Sequence, residues 1–161
     1  MRRIQPNTYG SGRQLIQCLQ SFAVMELLHN SENIYIHVPL LNDAPIVNSR
    51  AGEFSFALPD ASLNQLSLTH LLSLLADRGS QIHICFRENI NTLLLEKLNH
   101  PSITLSQRTS IYPPGWVTES YALSGVIYFR SDRIEFFEDE IKIFTEKDDV
   151  DKLLLNAQST W

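Results

Sequence analysis

Apolar positions recur along the chain with two different periods, and the changes of period mark out its elements. Between residues 11 and 29, Leu15, Ile16, Leu19, Phe22, Ala23, Met25, Leu27 and Leu28 form a wide stripe at helical spacing. The β-branched and aromatic run Asn33-Ile34-Tyr35-Ile36-His37-Val38, closed by Pro39, predicts a buried strand. Residues 39–61 show neither period and are rich in Asn, Asp, Pro and Gly, with Pro59 and Asp60 near their end, so a long connection is expected there. A second helix is predicted over 62–78 through Leu63, Leu66, Leu71, Leu72, Leu74 and Leu75, and Gly79 stops it. Gln81–Phe86 predicts a strand, 91–98 a helix ended by Pro101, and 102–105 another strand.

Helix and strand therefore alternate up to residue 105, the pattern of parallel strands joined by crossover helices. Beyond that point the rhythm changes. Strands are predicted over 115–118, 121–129 and 140–145 with short connections, which suits antiparallel additions to the same sheet, and a last helix runs through Val150, Leu153, Leu154 and Ala157. The expected fold class is α/β, a mixed β-sheet flanked by helices on both faces, in one domain over residues 1–161.

Composition narrows the function classes. Of 161 residues, 43% are hydrophobic and 19% charged, enough to close a core. The net charge is -5 and unevenly placed: residues 1–134 balance ten acids with ten bases, whereas 135–161 hold eight acids and three bases. An unaided polyanion binder carries the opposite excess, so tight DNA binding is not expected. No apolar run approaches the ~20 residues of a membrane span, and no apolar segment follows Met1-Arg2-Arg3 as in a secretory signal. With Cys18 and Cys85 both in apolar periodic segments, a cytoplasmic protein with reduced thiols is expected.

Candidate chemistry is sparse. His37 and His83 fall on predicted strands and could converge, but no His-Glu-x-x-His or Cys-x-x-Cys spacing accompanies them, so neither a metal nor another cofactor is expected. Arg130 and Arg133 flank Asp132, and Arg50 lies on the long connection; together they form either a nucleic-acid or phosphate patch or ions paired with nearby acids. Trp116, Tyr121 and Tyr128 are candidate anchors for a protein interface, or else filling for an internal pocket.

The order of elements and several local steps resemble one half of the phospholipase D superfamily, over nearly the whole chain. The resemblance is nearest to the single-motif members found in bacterial DNA-modification and phage-defence clusters. Val38-Pro39-Leu40-Leu41-Asn42-Asp43 stands where those proteins carry a Ser-Pro-Trp-x-x-Asp-like turn, keeping Pro39 and Asp43, and Asn48, Arg50 and Gly52 resemble the following Asn-x-Arg-x-Gly. The family's catalytic frame is His-x-Lys and, four residues on, Asp. In that frame this chain carries Tyr112, Pro114 and Glu119. The family's Gly-Ser-x-Asn-Phe-Thr-like step is here Gly125-Val126-Ile127-Tyr128-Phe129-Arg130, which keeps Gly125 and Phe129 but not the Ser and Asn.

The resemblance thus implies a scaffold kept and a chemistry removed, since proline offers neither a side-chain donor nor a backbone N–H to hold phosphate. The function it implies is a catalytically inactive structural or adaptor subunit of a bacterial anti-phage or DNA-processing assembly. Its partners would be proteins, an ATPase or helicase among them, and a homodimer formed across the family's usual face. Two rivals are a phosphodiesterase or nuclease using Tyr112 or an outlying His, and a DNA-sensing module using Arg50, Arg130 and Arg133.

Overall fold

The computed structural model describes residues 1–58 and 64–160. A short strand β1 (Arg2–Ile4) precedes helix α1 (Ser11–His29), followed by β2 (Asn33–Val38). The stretch read as an unstructured connection carries β3 (Pro45–Asn48), which pairs antiparallel with β4 (Gln65–Ser67) as a small separate ribbon. Helix α2 (Leu68–Asp77) follows at once. The helix predicted from residue 62 thus begins six residues later, because Leu66 belongs to a strand and the Ser67 hydroxyl caps α2 by accepting the His70 N–H. Residues 62 and 63, with Pro59 and Asp60, lie outside the described residues. Gly79, at φ +104°, turns the chain out of α2.

Next come β5 (Gln81–Phe86), α3 (Thr92–Lys97) and β6 (Ile103–Gln107), close to the predicted bounds. The final third holds β7 (Gly115–Val117), β8 (Ala122–Ser124), β9 (Tyr128–Phe129), β10 (Ile134–Glu135), β11 (Ile141–Phe144) and α4 (Lys147–Thr160). The strand expected over 121–129 is broken in two at Gly125, whose φ of +142° is incompatible with a continuous strand.

Seven strands form one sheet in the order β1-β11-β8-β7-β2-β5-β6. β2, β5 and β6 are parallel, while β7, β8, β11 and β1 add antiparallel neighbours on the other side of β2. The fold is therefore an α/β mixed sheet, with β2 as the seam between its two halves.

Strand alternation gives the sheet two unlike faces. Ile36 is in register with Ile84 on one side and Trp116 on the other, and Trp116 with Leu123 and then Ile143. This face joins Leu15, Leu19 and Phe22 of α1 and Leu71, Leu72 and Leu75 of α2 in one hydrophobic cluster. On the opposite face, Tyr35 lies in register with His83 and Val117, and His37 with Cys85 and Gly115. Helix α4 packs on that side against β2, β7 and β8. Among the described residues, no helix is long and apolar enough to cross a membrane.

Candidate functional site at the carboxyl end of the parallel strands

The carboxyl ends of parallel strands are where open α/β sheets present side chains to ligands. Here β2, β5 and β6 end at Val38, Phe86 and Gln107, and the connection from β6 to β7 carries Tyr112, Pro113 and Pro114 across this edge. That connection is tied down by its carbonyls. The Pro113 oxygen accepts the Nδ1–H of His37 at 3.0 Å, and the Pro114 oxygen accepts the Gly125 N–H at 3.1 Å. Gly115 then opens β7 at φ +140°, where a Cβ would stand 2.0 Å from the Leu123 carbonyl oxygen; only glycine fits.

Tyr112 is 77% exposed. It lines a shallow groove of about 290 Å³ with Arg87, Ser110, Pro114, Val126 and Glu138. No cation neighbours Tyr112 in sequence, yet the fold brings Arg87 to the same groove. Arg87 is matched there by Glu138, and both act on the Tyr128 hydroxyl, which donates to the Glu138 carboxylate. Burial, followed by the Glu138 contact, pushes the Tyr128 phenol up. Glu119 lies elsewhere: its carboxylate accepts the Asn33 N–H at 2.7 Å, at the start of β2, whereas Tyr112 lies beyond the end of that strand. A six-residue strand is roughly 20 Å long, so the ends of the Tyr112-x-Pro114-x4-Glu119 frame do not meet.

His37 and His83 share one face of the sheet on neighbouring strands, His37 in register with Cys85 and His83 with Tyr35. His83 stacks on Tyr35 with ring centroids 4.6 Å apart. His37 is only 2% exposed. Burial pushes both imidazoles below the usual histidine range, and for His37 the nearby Arg108 and His83 act in the same direction. Burial raises the Cys85 thiol, which Arg108 offsets in part. Sequence reading took Cys85 only as a reduced thiol in an apolar segment and passed over Arg108, although registered strands place both here: residues 35 and 37 share a face with 83 and 85, and Arg108 follows Ser106 by two. The group makes a neutral imidazole held by a scaffold carbonyl. Among the described residues, no three His, Cys, Asp or Glu side chains assemble as a metal site.

Two of the three arginine candidates, Arg130 and Arg133, are engaged with acids. Arg130 Nε donates to Glu135 at 2.8 Å, and its guanidinium stands 5.8 Å over the Tyr128 ring. Arg133 pairs with the same Glu135 and with Asp132. Arg50 lies on the exposed turn after β3.

The aromatic interface candidates require a correction. Trp116, Tyr121 and Tyr128 are 3%, 0% and 7% exposed. Trp116 meets Phe129 edge-on, and Tyr121 stacks on Phe22 of α1 at 3.9 Å. Side chains already removed from water have no apolar area left for a partner, so these three rings are core and not docking anchors.

Compared with known proteins, the sequence matches no protein-family model and no curated protein.

Proposed function

We propose that the chain is a non-catalytic phospholipase D-like domain, serving as a structural or adaptor subunit of a cytoplasmic bacterial anti-phage or DNA-processing assembly. One observation supports the loss of chemistry above others. The connection standing in the catalytic frame spends its carbonyls on His37 and Gly125, and its two prolines contribute no N–H toward an anion. The buried His37 is fixed as part of that tie. A mixed sheet with three parallel strands is compatible with the resemblance, and the defence setting and a helicase or ATPase partner follow from the resemblance alone.

The rival phosphodiesterase reading draws on Arg87 sharing a groove with Tyr112. The two readings separate in one assay. With bis-p-nitrophenyl phosphate or single-stranded DNA, the protein is expected to give no turnover above buffer, with or without divalent metal. Turnover abolished by Tyr112→Phe overturns the proposal. The adaptor role is tested by co-expression with neighbouring gene products: retention of at least one through affinity purification and gel filtration is expected, and retention of none counts against it.

A further inference from the structure

The two edges of the seven-stranded sheet are unlike. At one edge β1 is three residues long and two of them are Arg2 and Arg3, a short charged strand of the kind that discourages pairing. At the other edge β6 runs Ile103-Thr104-Leu105-Ser106-Gln107 without a charge, a proline or a bulge. Its main-chain polarity follows from two bonds. Ile82 N–H donates to the Ser102 oxygen and Arg108 N–H to the Phe86 oxygen, each at 2.8 Å. Alternate residues of a parallel strand bond the same neighbour, so residues 102, 104, 106 and 108 face β5 while Ile103, Leu105 and Gln107 turn their amide and carbonyl groups outward. Of these outward groups the Ile103 N–H is used by the His100 carbonyl; the others have no partner among the described residues.

We propose that this edge pairs with a second copy of the same chain, β6 against β6 antiparallel about a two-fold axis at Leu105, so that two sheets become one. The strand complements itself in that register. Leu105 N–H meets the Leu105 carbonyl of the other copy, and Gln107 N–H meets the Ile103 carbonyl, each twice by symmetry. Because the Ile103 N–H is already used by His100, the Gln107 carbonyl stays unpaired at each end, and four of the six bonds of this register form. Side chains also match: Leu105 opposes Leu105, Ile103 opposes Gln107, and on the polar face Thr104 opposes Ser106.

Beside the edge, an open groove of about 370 Å³ is lined by Leu95, Leu98, Ile103 and Leu105, with Leu95 44% exposed. The inference rests on the edge alone and is independent of whether the domain is catalytic.

The register dictates the test. Thr104→Lys with Ser106→Lys sets like charges opposite each other twice across the axis, whereas Thr104→Lys with Ser106→Glu sets unlike charges there. Sedimentation equilibrium is expected to show a wild-type dimer, a dissociation constant about tenfold or more weaker for the Lys/Lys variant, and recovery in the Lys/Glu variant. Circular dichroism confirms that each variant is folded. Exchange of the Leu105 amide, slowed as wild-type concentration rises, reads the same contact without mutation. A wild type that stays monomeric throughout, a dimer indifferent to Lys/Lys, or a Lys/Glu variant that does not recover overturns the proposal.

Discussion

His37 ties the β6–β7 connection to the central strand through its Nδ1–H, and the buried ring is held neutral in the fold. An imidazole whose pKa is lowered by folding binds fewer protons than in the unfolded chain. Its cost to stability is absent above the ordinary value of about 6.5 and grows as pH falls below it. His83 has the same sign. Glu26 has the opposite one: burial raises its carboxyl, so its penalty eases as pH falls toward the usual carboxylate range. Comparing variants removes that background. Urea titrations at about pH 7.5 and about pH 5.5 should show wild type losing more stability on acidification than His37→Gln, and equal losses would refute the assignment.

Among elements, α2, α3 and the turn after β2 are joined by a single side chain, Asp43. Its Oδ1 accepts the Thr69 N–H at 3.0 Å and the Thr69 hydroxyl at 2.8 Å, and its Oδ2 meets Lys97 Nζ at 3.0 Å. Burial works against the ionised carboxylate, but these bonds outweigh it and hold Asp43 below the usual carboxylate range. Asp43→Ala should cost about 2 kcal/mol in urea unfolding, mostly through Thr69, because the Lys97 arm is exposed to solvent. This contribution is full above about pH 3.8 and disappears as pH falls through the lowered folded value; a loss independent of pH across that range contradicts the carboxylate's part.

Sequence periodicity located the long elements well for a physical reason. α1, β2, α2, β5 and α4 each bury an apolar stripe or run at their own period. β1, β3, β4, β9 and β10 have four residues or fewer and show no period, and they exist through partners distant in the chain. The candidate site divides in the same way. That Pro114 cannot hold phosphate was legible from its chemistry, and pairing of Arg130 and Arg133 with nearby acids was one of the two readings open to them, but their sharing of Glu135 depends on the β9–β10 register. The burial of Trp116 and Tyr121 was not, since it depends on which sheet face α1 covers.

Charge operates on the scale of the whole molecule. The net -5 is concentrated after residue 134, and α4 opens with Asp148, Asp149 and Asp151, so the long-range field repels a polyanion. Arg130 and Arg133 have their own carboxylates, which leaves little local attraction to offset that field. Fluorescence anisotropy with a labelled duplex at about 25 mM salt should show no saturable binding. Saturable binding abolished when Arg50, Arg130 and Arg133 are all changed to Ala would restore the DNA-sensing reading.

The pairing of Ile4 with Ile141 joins segments from nearly opposite ends of the sequence. During synthesis, β1 has no place to go until β11 has cleared the ribosome, and β11 in turn needs β8 beside it. The parallel half can assemble while its antiparallel extension is still being translated, so the nascent domain carries the arginine-bearing β1 unpaired until β8 and β11 are in place. The charges that discourage misplaced contacts at that edge in the finished molecule are therefore most needed before the molecule is complete.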